Sequence, residues 1–134
     1  MSDSRNAPRV DLLRSPLGRA RGLGSARSGS HHWWVQRLTA VALIPLTIWF
    51  IFSAIKLTGA TRAGVDAWLS SPFTAAMMLG LVIATFHHLQ LGLQVVIEDY
   101  VHDEKVKVPA VLVMKGVCWL LAAACVVSVL KLAF

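Results

Sequence analysis

The stretch FTAAMMLGLVIATFHHLQLGLQVVIEDY, residues 73–100, decides how this chain must be read. From Phe73 to Ile97 it contains no Asp, Glu, Lys or Arg. A helix of about 20 such residues crosses the ~30 Å hydrocarbon core of a bilayer. The segment therefore reads as a membrane span. Polar groups inside it need a reason, and His87 and His88 lie near its middle, with Glu98, Asp99 and Tyr100 at its end.

Two further runs have the same character. They are WWVQRLTAVALIPLTIWFIFSAIKL, about residues 33–57, and PAVLVMKGVCWLLAAACVVSVLKLA, about residues 109–133. With the first stretch, about residues 73–97, they make three spans. The composition agrees: 134 residues, 56% hydrophobic and 15% charged, with a mean hydropathy of +0.63. That is too apolar for a soluble domain of this size. The expected fold class is an all-α membrane protein with three transmembrane helices in the lipid bilayer. The connecting segment 58–72 is short and contains Gly, Ser and Pro. Residues 98–108 form a charged turn, Pro109 suits the first turn of the third helix, and Pro45 is expected to kink the first.

Charge sets the expected direction. Residues 1–30 hold six arginines (Arg5, Arg9, Arg14, Arg19, Arg21, Arg27) against Asp3 and Asp11. This segment reads as an extended basic tail, followed by a three-helix membrane region over 31–134. Beside a membrane span, a basic excess marks a cytoplasmic flank rather than a nucleic-acid surface. A mitochondrial transit peptide shares the Arg- and Ser-rich composition, but the apolar moment of a transit helix is weak here. A bacterial inner membrane is therefore expected, with a mitochondrial one as the alternative. The N-terminus lies in the cytoplasm in this scheme, segment 58–72 outside, turn 98–108 inside and Phe134 outside. Cys118 and Cys125 share a helix face and read as packing residues. No CxxCH is present, which excludes a covalently attached haem.

The histidines acquire geometry on a helix. From His88 to Asp99 is eleven residues, roughly 1100°, so both lie on nearly one face. The same step climbs roughly 16 Å, about half the hydrocarbon core. Gly92 and Val95 lie between them on this stripe. His87 is turned away by about 100°. A histidine at that depth either ligates a metal or haem iron or hydrogen-bonds a neighbouring helix. Gly92 would let a flat macrocycle or another helix approach. Asp99 and Tyr100, near Glu98 and His102, lie at the membrane boundary. There they could bind a polar headgroup or simply anchor the helix. Arg37, one turn into the first span, either snorkels or pairs with a buried anion such as a propionate.

Three features together resemble a known family. They are the three-span layout with a basic tail, the segment GSHHWWVQRLTA, and above all HLQLGLQVVIEDYVH. The chain resembles the small hydrophobic membrane-anchor subunits of succinate dehydrogenase, respiratory complex II. The likeness covers about residues 29–134. In that family the second helix carries H-x3-G-x6-D-Y, matched here by His88, Gly92, Asp99 and Tyr100. The first segment matches a histidine followed after five residues by arginine, here His31 and Arg37. The resemblance implies that His88 is an axial ligand of haem b, with the second ligand from a partner anchor subunit. It implies that Tyr100 hydrogen-bonds ubiquinone beside Asp99, and that Arg37 and His31 neutralise haem propionates. It further implies an iron–sulfur subunit and a flavoprotein subunit as partners, with no role for nucleic acid. This chain has no nucleotide motif and no cluster cysteines of its own.

Three other functions fit parts of the pattern. The chain could anchor another quinone-linked enzyme such as fumarate reductase. A small proton-coupled transporter subunit would use His88 and Asp99 as a path, yet the only other charge in a span interior is Lys115, near a helix start. The absence of an internal repeat also speaks against an inverted-repeat transporter. A purely structural assembly factor would bind no haem.

Overall fold

A computed structural model describes residues 29–134, together with Leu17. The basic tail expected over 1–30 therefore lies outside the described residues, apart from Leu17, Gly29 and Ser30. The described residues form four helices and no strand: α1 (Gly29–Lys56), α2 (Arg62–Leu69), α3 (Pro72–Tyr100) and α4 (Glu104–Ala133). Three of them, α1, α3 and α4, are long and apolar enough to cross a membrane. At 28 to 30 residues each they extend about 42–45 Å, past the hydrocarbon core into both interfaces.

The helices outrun the apolar runs for local reasons. α4 begins five residues before Pro109, where the first turn was expected. Asp103 is its N-cap, and its side chain accepts a hydrogen bond from the Lys105 N–H at 2.9 Å. Glu104 in the first turn adds a favourable charge at the positive helix end. Pro109 thus lies inside α4, where its missing N–H leaves only the near-terminal Lys105 carbonyl without its helical donor. The turn between α3 and α4 shrinks to Val101–Asp103, and Glu98, Asp99 and Tyr100 complete α3. α1 continues unbroken through Pro45.

The segment after α1 holds a helix that was not expected. The chain leaves α1 through Gly59, whose φ of +78° suits a residue without a Cβ. Thr61 then caps α2 by accepting from the Gly64 N–H at 3.3 Å. Its apolar residues Val65, Trp68 and Leu69 follow helical spacing. Leu69 is buried with Ala75 of α3 and Val129 and Ala133 of α4, against Trp68, Met78 and Leu79. α2 therefore closes the end of the bundle that holds the α3 N-terminus and the α4 C-terminus.

α3 and α4 form the closest helix pair. α1 meets the rest through side chains. Thr39 reaches His88. A Cβ on Gly80 would lie 3.9 Å from Leu46 Cδ2. Trp49 stacks on Trp68. From Thr39 to Leu46 the numbering rises along α1, while from His88 to Gly80 it falls along α3. The two helices are therefore antiparallel with a fixed register. Most of each span's surface is not covered by this chain, which leaves it for lipid or for other subunits.

Candidate functional site

The His88 stripe is built by α3 and faced by α1. Thr39 and His88 are both half-buried. Thr39 Oγ1 lies 3.0 Å from His88 Nδ1. The same Oγ1 is 2.9 Å from the Val35 carbonyl and 2.9 Å from the Gln36 carbonyl of its own helix. Among the described residues His88 Nε2 has no hydrogen-bond partner, so it is the free end of the ring. One turn along, Gly92 has no atom within 4 Å of where a Cβ would sit. Val95 continues the stripe, half-buried. It ends at Asp99 and Tyr100, both exposed, with Tyr100 at 79%.

His87 belongs to another environment. It lines an apolar cavity of about 300 Å³ between α3 and α4, with Phe86, Cys118 and Trp119 on the walls. The two adjacent histidines therefore serve different helix interfaces, as a 100° step dictates. Sequence reasoning did not find this cavity, because the stretch of α4 that lines it, residues 118–126, is wholly apolar and does not announce which face meets α3.

At the start of α1 the expected residues do not converge on α3 directly. Arg37 is exposed, and its guanidinium carbon lies 3.8 Å above the centre of the Trp33 ring. That cation–π contact holds the charge against an aromatic face. Trp33 in turn meets Trp34 edge-on at 5.1 Å. No ion pair joins Arg37 to Glu98 or Asp99 among the described residues. His31 is exposed, whereas His32 is half-buried and its Nε2 is a buried atom without a hydrogen-bond partner. The antiparallel register puts all of these at the same end of the bundle as Asp99 and Tyr100. His31 lies about 12 Å along the axis from Thr39, and Asp99 about 16 Å from His88, in the same direction. Near that end Gln94 Nε2 donates to Glu98 Oε1 at 2.7 Å, while Asp99 has no side-chain partner among the described residues.

Thr39 is the one residue of this site that sequence reasoning missed. Its partner is 49 positions away, and a threonine in an apolar helix gives no local signal of what it faces. Among the described residues no three His, Cys, Asp or Glu side chains converge to hold a metal ion. The stripe thus offers a single imidazole donor at mid-span, an open space at Gly92 one turn along, and an exposed carboxylate with a phenol at the end of the helix.

Comparison with known proteins gives this arrangement a context. The family model for the succinate dehydrogenase/fumarate reductase transmembrane subunit matches residues 11–130. A succinate dehydrogenase hydrophobic membrane anchor subunit of Rickettsia bellii is 33% identical over 118 residues, covering 87% of this chain and 94% of that protein. The corresponding subunit of Paracoccus denitrificans is 34% identical over 86 residues, 64% of this chain and 67% of that one. A succinate dehydrogenase membrane anchor subunit of Reclinomonas americana is 30% identical over 92 residues, 66% and 77% respectively. No solved structure matches.

Proposed function

Because the chain belongs to the succinate dehydrogenase/fumarate reductase transmembrane subunit family, we propose that it anchors succinate dehydrogenase by holding haem b through His88 and by forming part of a ubiquinone-reduction site at Asp99 and Tyr100. It is a multi-pass membrane protein of the bacterial inner membrane type. The arginine-rich tail supports a cytoplasmic N-terminus, which would put Asp99 and Tyr100 on the cytoplasmic side.

The observation that carries the proposal is the state of His88. One ring nitrogen is engaged by Thr39, and the other has no hydrogen-bond partner among the described residues. Metal-ligating histidines characteristically have their second nitrogen engaged in this way. The residues also fit the bulk of a haem, since Gly92, one turn along from His88, carries no side chain and a Cβ there would meet nothing within 4 Å. With a single imidazole on the stripe, this chain would supply one ligand to the haem iron through His88, and a second anchor subunit would supply another. When bound, the haem supplies one-electron redox chemistry at the subunit boundary. Arg37 and His31 are the α1 groups that would meet its propionates at that end of the bundle.

The rest of the proposed mechanism belongs to this chain's own side chains. The Tyr100 hydroxyl has no partner among the described residues and can donate to a quinone carbonyl oxygen. Asp99, adjacent on the last turn of α3, is a carboxylate open to water that can relay protons. Quinone reduction consumes two electrons and two protons. A site at the end of a span serves both needs, because the quinone tail stays in lipid while protons arrive from water. The electrons come from an iron–sulfur subunit, supplied in turn by a flavoprotein subunit that oxidises succinate. A fumarate reductase anchor is the second assignment that the matched family covers; the relatives named above favour succinate dehydrogenase.

The test is a dithionite-reduced minus oxidised visible spectrum of the purified complex, wild type beside His88→Ala. A b-type spectrum that is lost or shifted in the variant supports His88 as ligand. A wild-type complex without haem, or a variant with an unchanged spectrum, removes that assignment.

A further inference from the structure

We propose that Thr39 is a positioning residue that fixes the tautomer of His88, accepting a hydrogen bond from Nδ1–H so that the Nε2 lone pair is kept for the iron. This rests on the assignment of His88 as haem ligand, and it concerns how this chain prepares that ligand before any haem arrives.

The argument turns on counting protons. Thr39 Oγ1 lies 2.9 Å from the Val35 carbonyl, 2.9 Å from the Gln36 carbonyl and 3.0 Å from His88 Nδ1. A hydroxyl has one proton and two lone pairs. If that proton went to Nδ1, two carbonyl oxygens would face the hydroxyl oxygen with no hydrogen between them. If it is shared between the carbonyls, as threonines in helices commonly do, Oγ1 can only accept from the ring. Nδ1 then carries the hydrogen, and in a neutral imidazole Nε2 is left as the acceptor. The neutral imidazole is the form of histidine that ligates a metal.

The placement has two consequences. The ring is oriented, because Thr39 sits on a different helix from His88 and its own rotamer is tied to two carbonyls of α1. The bond also raises the electron-donating power of Nε2, since hydrogen bonding at the far nitrogen makes a ligating imidazole more basic. A more basic ligand favours the ferric state. Thr39 therefore holds the haem potential below the value it would otherwise have.

The experiment uses the assembled complex with Thr39→Val, which keeps the shape and loses the hydroxyl, and Thr39→Ser, which restores it. Redox titration of the b-type absorbance is expected to give a more positive midpoint in Thr39→Val and a wild-type midpoint in Thr39→Ser. A Thr39→Val complex with full haem and an unchanged midpoint overturns the role of Thr39. In that case a spectrum still lost in His88→Ala leaves the ligand assignment standing, so the two failures are distinguishable. If Thr39→Val loses haem altogether, the ring ¹⁵N signals of His88 in the haem-free full chain in detergent decide the matter. A protonated Nδ1 in the wild type, becoming mixed in Thr39→Val, supports the proposal. A wild-type ring protonated at Nε2 overturns it.

Discussion

Trp49 and Trp68 stack with ring centroids 5.9 Å apart and planes 19° from parallel. This contact ties the short helix α2 to α1, while Leu69 on the neighbouring position ties α2 to α3 and α4. The two tryptophans thus join the span that carries Thr39 to the element that caps the other two spans.

Loss of that stack should be felt as stability rather than chemistry. An aromatic pair contributes about 0.5–1.5 kcal/mol beyond the area it buries, and a truncated tryptophan loses the buried area as well. Trp68→Ala should destabilise the complex by about 2–4 kcal/mol, seen as a lower Tm in detergent. The haem spectrum at low temperature should be unchanged, because Trp68 packs near Ala75, about 20 Å along α3 from His88. A spectrum altered at temperatures well below unfolding would show that α2 influences the His88 stripe directly.

The adjacent histidines should behave oppositely. His87 lines the α3–α4 cavity and His88 meets Thr39. His87→Leu places an apolar group in an apolar cavity and should keep the b-type spectrum, with at most about 1 kcal/mol change in stability. Reduced-minus-oxidised spectra of the purified variant check this. Loss of haem in His87→Leu with retention in His88→Ala would reverse the assignment.

How much of this was legible in the sequence follows from length and charge. The three spans were readable because some 20 apolar residues without charge have few other fates. α2 was not, because eight residues offer barely two helical turns of pattern and their flanks hold Gly, Ser and Pro. The start of α4 was placed at Pro109, since proline favours a first turn. The Asp103 cap acts five residues earlier and prevails, because a proline in the second turn forfeits only one near-terminal hydrogen bond. The stripe from His88 to Asp99 was legible because helical geometry alone aligns it. The Thr39 contact was not. α1 is apolar on nearly every side, and only the packed structure says which way it turns.

Gly92 permits a test for an occupant from outside the chain. A Cβ there meets nothing of this subunit within 4 Å. Gly92→Ala should therefore leave the fold of the chain intact, and even gain a few tenths of a kcal/mol from helix propensity, up to about 1. A bulkier Gly92→Leu would put a side chain into that open space, one turn along from His88. We expect haem content to fall severalfold in Gly92→Leu while the helicity of the purified chain, by circular dichroism, stays at the wild-type level. Full haem content in Gly92→Leu would mean that the space is unused.

Tyr100 gives the sharpest separation of quinone chemistry from assembly. Its side chain is 79% exposed on the last turn of α3 and bonds no described residue, so removing the hydroxyl costs the chain no internal contact. A hydrogen bond from the phenol to a quinone carbonyl is worth about 0.5–1.5 kcal/mol, which corresponds to roughly a two- to twelvefold change in rate or affinity. Electron transfer from succinate to an artificial acceptor at the soluble subunits bypasses the membrane site. Tyr100→Phe should therefore lower succinate–ubiquinone activity by that factor and leave the artificial-acceptor rate and the haem spectrum at wild-type values. If quinone reduction proceeds at the normal rate in Tyr100→Phe, the phenol is an interface anchor and the quinone binds elsewhere. If both activities fall together, Tyr100 acts through docking of the soluble subunits on this face.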